Sequence, residues 1–166
     1  MHFPGSMSMG TIMKFDDCPD VRIAQVDDEP ELVRLAELAA AEDGQGSFNI
    51  DKVRSVFGLH FCKAGGIIGV IGAPGQKLMA FTLLAITQPW YSDEGHVQEL
   101  SLFVDPEHRK TNYAKQLMVF SKKTSEALNL NLSIGVVANE KTEAKVRLYQ
   151  RQFPQSGAFF RYNPQA

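Results

Sequence analysis

Long apolar runs are missing from this chain. No stretch approaches the roughly 20 apolar residues that a bilayer-spanning helix needs, so no membrane span is expected. Nor does the N-terminus show a charged region leading into an apolar segment, the pattern of a secretory leader. Cysteine is scarce as well. Cys18 and Cys62 stand alone, with no CxxC or Cys/His spacing. They read as free thiols of a reducing cytoplasm, with a disulfide as the alternative. His2, His60, His96 and His108 are scattered rather than grouped as a ligand set, so no metal is expected. A basic excess is also absent: 17 Lys and Arg against 19 Asp and Glu leave a net charge of -2. A dedicated nucleic-acid binder is normally basic, and this balance disfavours one. There is no internal repeat and no low-complexity tract.

What remains is a chain of 166 residues, 44% hydrophobic and 22% charged, long enough to bury a core as one globular domain. Residues 1–20, rich in Met, Gly, Pro and Ser, read as a flexible arm or an appended leader, and 21–166 as a single domain. Val21 to Val26 alternates as a strand. Asp28 and Glu31 have capping-box spacing, Pro30 suits a first helical turn, and Leu32, Leu35, Ala36 and Ala39 carry a helix to Gly44. A short helix over 49–60 follows. Then come strands at 67–71 and 78–86 forming a hairpin, a loop at 88–95 and a strand at 97–104. A helix at 112–128 shows Ala114, Leu117, Met118, Ser121 and Leu128 on one face. A strand at 130–137, a helix at 140–152 and a short strand at 157–162 complete the order β-α-α-β-β-β-α-β-α-β. This is an α/β fold with a mixed, mostly antiparallel sheet flanked by helices.

Between the strand at 97–104 and the helix after it lies Val104-Asp105-Pro106-Glu107-His108-Arg109-Lys110-Thr111-Asn112-Tyr113-Ala114. A basic loop opening a helix offers unpaired backbone N–H groups and the positive end of a helix dipole, a place to hold a phosphate. Arg109 to Ala114 resembles the Arg/Gln-x-x-Gly-x-Gly/Ala pyrophosphate loop of the GNAT superfamily of acetyl-CoA-dependent N-acetyltransferases. Arg109 and Ala114 match the outer positions. Asn112 stands where that family usually has glycine, and asparagine is the next best residue for a left-handed backbone. Downstream, Asn139-Glu140-Lys141-Thr142-Glu143-Ala144-Lys145-Val146-Arg147-Leu148-Tyr149 and Phe153 resemble the family's second signature, with Ala144 offset by one. The segment 145–160 is also similar to GNAT proteins of bacteriophage and prophage gene sets, which implies a viral or prophage origin.

The resemblance implies the GNAT fold, acetyl-CoA as co-substrate, and direct attack of an amine on the thioester. Arg109, Lys110, Thr111, Asn112, Tyr113 and Ala114 would cradle the diphosphate. The backbone of Phe103 and Val104 would pair with the pantetheine arm, one N–H polarising the thioester carbonyl. Asn139 would bond the pantetheine region or, alternatively, cap a helix. Tyr149 would protonate the departing CoA thiolate, or pack in the core with Val146 and Phe153, or both.

The acceptor amine needs a base, since neutralising a lysine-like amine at pH 7 costs about 4.6 kcal/mol. Glu99 is the candidate. Strand parity sets it with Val97, Ser101 and Phe103, opposite Leu100, Leu102 and Val104, unless a bulge intervenes. A solvated or salt-bridged Glu99 is the other reading. Acceptor determinants are expected at 44–60 and 88–96, where Trp90 and Tyr91 would line a pocket, anchor the loop or meet a second copy in a homodimer. Arg147, Arg151 and Arg161 would face an acidic acceptor, the adenosine phosphate or solvent.

A small-molecule or protein amine is thus the expected acceptor. The competing reading is a non-catalytic CoA-binding or protein-interaction module. An enzyme acting on charged tRNA is disfavoured by the acidic balance.

Overall fold

The computed structural model describes residues 14–44, 46–136 and 142–157. Five strands form one sheet in the order β1 (Val21–Ile23), β2 (Gly66–Ile71), β3 (Ala80–Thr87), β4 (His96–Val104) and β5 (Asn131–Ile134). The first four are antiparallel neighbours, and β5 lies parallel to β4. A parallel neighbour requires a crossover, and α3 (Tyr113–Leu128) supplies it. Helices α1 (Glu29–Asp43), α2 (Ile50–Phe61) and α4 (Thr142–Gln150) are the other described α-helices. The α/β reading with a mixed sheet holds. The strand expected at 157–162 falls outside the described residues apart from Gly157, which belongs to no strand.

Both faces of the sheet are covered, which is why β2 is buried throughout and β3 over most of its length. On one face Ile67, Ala80, Leu84, Val97 and Val104 pack under Leu117 and Phe120 of α3. On the other, Ile68, Val70, Phe81, Leu83 and Phe103 pack against Leu32 and Leu35 of α1 and Phe57 of α2. Gly69 permits the close approach of α3: a Cβ there would sit 2.7 Å from the Phe120 ring. Gly44, at φ 65°, ends α1 in a left-handed cap, and the Asn49 side chain caps α2 by accepting from the Lys52 N–H at 2.9 Å. Cys18 is buried, Cys62 exposed, and both are free, so the disulfide alternative falls.

The start of the domain departs from expectation. Strand β1 stops at Ile23, and Val26–Asp28 forms a single 3-10 turn. Asp28 does not cap α1 through its side chain. Its fully buried carboxylate instead takes Arg22 at 2.7 and 2.8 Å, the Gln25 N–H at 2.8 Å and the Gly75 N–H at 3.2 Å. Glu31 turns to Arg34 and to the Leu78 N–H. A half-buried arginine out-competes a helix cap for a buried carboxylate, because the carboxylate's charge must be matched once water is excluded. Arg34 in turn bonds Asp105 at 2.8 Å, tying α1 to the end of β4.

Candidate active site

Two irregularities in the sheet shape the site. Strands β4 and β5 pair only from His96↔Asn131 to Glu99↔Ile134, so the remainder of β4 has an open edge on that side. Between β3 and β4 the register slips: Leu83 faces Ser101 while Leu84 faces Glu99, leaving Leu100 as an extra residue. A cavity of about 1130 Å³ runs along the open part of β4. Its walls are the C-terminal half of α1, the first turns of α2, residues 99–104, the loop after β4, Gly135–Val136 and α4. The 44–60 segment, expected to carry acceptor determinants, lines this cavity through Gly44, Lys52, Val53, Val56 and Phe57. Trp90 and Tyr91 do not: they stack edge-on at 5.5 Å in the β3–β4 loop, 95% and 74% exposed, and anchor nothing in the core.

The bulge overturns the simple alternation that grouped Glu99 with Ser101 and Phe103. Val97 and Glu99 lie on the α3 side with Leu102 and Val104, whereas Phe103 packs toward α1 and α2. Glu99 is also not solvated, being 7% exposed. Tyr149 of α4 donates its phenol O–H to Glu99 Oε1 at 2.5 Å, and Ser121 of α3 reaches Oε2 at 3.3 Å. Ser121 Oγ stands 3.0 Å from the Leu117 carbonyl and 3.5 Å from Thr82 Oγ1, continuing the polar contacts to β3. Burial pushes the Glu99 carboxyl above the usual range, against the pull of Tyr149, Ser121 and the Lys145 charge. Burial, then the Glu99 charge and its hydrogen bond, push the Tyr149 phenol up as well. The ring of Tyr149 also packs on Phe153 at 6.4 Å, so this residue both packs and hydrogen-bonds.

The loop after β4 is held by its own bonds. The Thr111 N–H bonds the His108 carbonyl at 3.1 Å, and the Tyr113 N–H bonds Thr111 Oγ1 at 3.3 Å. The first bond of α3 runs from the Gln116 N–H to the Asn112 carbonyl at 3.0 Å. The N–H groups of Ala114 and Lys115 therefore have no earlier turn to bond, and they mark the positive end of the helix. Asn112 has φ −89° and ψ 13°, so this position needs no left-handed residue. The expected reason for asparagine there is replaced by another: its Oδ1 accepts from Gln116 Nε2 at 2.9 Å.

Arg109, Thr111 and Ala114 line the cavity. Lys110 is exposed, and Tyr113 directs its hydroxyl to Met79 Sδ at 3.6 Å. Arg109 lies 5.5 Å over the Phe103 ring, donates to the Val104 carbonyl at 3.3 Å and pairs with Glu42 of α1. Asn139 and Arg161 lie outside the described residues.

Glu42, Ser121 and Lys145 were not singled out for roles from the sequence. Ser121 carried a legible signal, a hydroxyl on the apolar face of α3. Thr82, a hydroxyl within an apolar strand, carried another.

The cavity thus reaches both the start of α3 and a buried carboxyl bonded to a half-buried phenol. The sequence profile of the Acetyltransferase (GNAT) family matches residues 34–153. The chain belongs to this family. Solved structures agree on the GNAT fold. A possible acetyltransferase from Clostridium difficile 630 aligns with TM-score 0.66 at 16% identity, covering 86% of this chain and 95% of that one. AAC(6')-Iy, solved with the bisubstrate analogue CoA-S-monomethyl-acetylneamine, aligns with TM-score 0.67 at 14% identity over 89% and 98%. The aminoglycoside acetyltransferase meta-AAC0020 from an uncultured soil metagenomic sample aligns with TM-score 0.63 at 13% identity over 86% and 94%. No curated protein sequence matches the chain significantly. Among the described residues, no cluster of His, Cys, Asp or Glu is placed to hold a metal, and no helix is long and apolar enough to cross a membrane.

Proposed function

We propose that this GNAT protein transfers an acetyl group from acetyl-CoA to a primary amine, by direct attack within a ternary complex. The observation that carries the reading is the Tyr149–Glu99 hydrogen bond on the wall of a cavity that also reaches Arg109 and Ala114. In this reading the CoA diphosphate meets Arg109 and the start of α3, where N–H groups and the helix dipole favour an anion. The pantetheine arm follows the open edge of β4 past Val104 and Phe103. A backbone N–H there polarises the thioester carbonyl, a contribution that is often the largest single one in acyl transfer. Glu99 accepts a proton from the amine and Tyr149 supplies one to the thiolate.

A buried Glu99 suits this work. A carboxyl raised toward neutrality loses less on accepting a proton from an ammonium than one at the ordinary value. The amine enters beside α1 and α2, whose side chains form the wall facing β4.

The test is thiol release from acetyl-CoA with a panel of primary amines, beginning with aminoglycosides, polyamines and lysine peptides. Wild type should turn over at least one, and Tyr149→Phe should lose about 10²–10⁴-fold in kcat, the usual contribution of a positioned acid. Tight CoA binding without turnover across the panel would mean a binding module instead. Absence of CoA binding would sink both readings.

A further inference from the structure

We infer that Glu99 and Tyr149 act as one proton relay, so that the proton taken from the acceptor amine replaces the one Tyr149 gives to the departing thiolate. This rests on the acetyl-transfer reading above and specifies how its acid and base work together.

The argument begins with a single hydrogen atom. A phenol has one O–H, and here it is committed to Glu99 Oε1 at 2.5 Å. While Glu99 is ionised, that proton is held away from an arriving sulfur. Releasing it unaided would leave a buried phenolate beside a carboxylate, the arrangement that both desolvation and like charge oppose. The groups facing this pair are Lys145 on α4, one helical turn before Tyr149, and Ser121 on α3, with Thr82 of β3 behind Ser121. No hydroxyl or carboxylate among them other than Glu99 contacts the phenol among the described residues. Tyr149 therefore gives up its proton as one arrives from Glu99.

Glu99 lines the cavity, and each of its carboxylate oxygens can accept more than one bond. The ammonium of the acceptor gives one proton to Glu99. The neutral nitrogen then attacks the thioester carbonyl, forming the C–N bond. As the tetrahedral centre collapses, the C–S bond breaks and its electron pair leaves with sulfur. Tyr149 protonates that sulfur while the Glu99 proton crosses to the phenol oxygen. The second nitrogen proton leaves to water. Amide, CoA thiol and one released proton balance the ammonium and the thioester, and both side chains return to their starting state. Separate acid and base residues would each need re-setting from solvent, whereas this pair resets itself.

The experiment compares Glu99→Gln, Tyr149→Phe and the double variant in kcat/KM, together with the solvent isotope effect of wild type across H2O–D2O mixtures. Glu99→Gln keeps a carbonyl for the phenol but cannot carry a proton. Each single change should cost about 10²–10⁴-fold, and the double should fall within about threefold of the worse single. The isotope plot should bow, as two protons in flight require. Losses that multiply in the double variant, with a linear isotope plot, would overturn the relay while leaving acetyl transfer intact. A wild type that never turns over would overturn the underlying reading instead. Should the variants fail to fold by circular dichroism or to bind CoA by calorimetry, the wild-type isotope plot alone decides: bowed supports the relay, linear refutes it.

Discussion

Replacing Glu42 by glutamine should make the protein bind CoA more tightly. Arg109 is the cation of the loop after β4 that lines the cavity, and Glu42 of α1 already holds it. In the proposed reading, a diphosphate arriving there would compete with that carboxylate for the same guanidinium. The two side chains are 31% and 41% exposed, so water and salt screen the pair, and such pairs contribute about 0–1 kcal/mol. Removing the carboxylate charge can therefore strengthen diphosphate binding by at most about 1 kcal/mol, or roughly fivefold in Kd. Arg109 should keep its place in the variant, because the Phe103 ring and the Val104 carbonyl also hold it.

Calorimetric titration of CoA into wild type and Glu42→Gln, at low and at high ionic strength, measures the effect. The gain should shrink at high salt, where exposed charges are screened. Melting temperatures should differ by no more than about 4 °C, because the lost pair is weak. A variant that binds CoA more weakly than wild type would refute the reasoning, since Glu42 would then be orienting Arg109 for the phosphates rather than competing with them.

Asp28→Asn should destabilise the fold by about 1–3 kcal/mol in urea unfolding, because an amide leaves the half-buried Arg22 without its charge partner. Burial pushes the Asp28 carboxyl up, but the bonds from Arg22, Gln25 and Gly75 outweigh it and hold the group below the ordinary range. Its contribution is thus present above the unfolded carboxylate value and is lost as pH falls through the folded one. The difference between wild type and variant should be full at neutral pH and shrink in acid. Ser121→Ala should cost less than about tenfold in kcat/KM at neutral pH, since its bond to Glu99 is long and shared with Leu117. With one bond to the charged form removed, the acid limb of the pH–rate profile should move to higher pH; a limb that stays or moves down would show that Ser121 does not act through Glu99.

Local chemistry made much of this fold readable. Leu32, Leu35, Ala36 and Ala39 repeat at helical spacing, Gly44 stops them, and Asn49 starts the next helix with its side chain. The hairpin of β2 and β3 follows from two apolar runs around Ala73-Pro74-Gly75. Pairs that form across the fold were not readable. Arg109 meets Glu42 across 67 positions and Arg34 meets Asp105 across 71, with nothing local to announce either. Asp28 shows how a distant partner defeats a local rule: its spacing to Glu31 fits a cap, yet Arg22 claims the carboxylate. Glu99 and Tyr149 were both named from the strand and helix signatures. Their direct contact was not, because it depends on a slip of register that no residue type marks.

That slip bears on how the chain can change through time. Leu100 is half exposed, and its side chain matters less than its presence. Substitutions there change one side chain on the cavity wall but keep the bulge, since the backbone count is preserved. Deleting the residue is a different kind of lesion: it would close the bulge and straighten β4, with Glu99 still opposite Leu84 and Ser101 still opposite Leu83. A mutational scan that tolerates many letters at position 100, but not a gap, would show that the extra residue serves the bend of β4 rather than the face on which Glu99 lies.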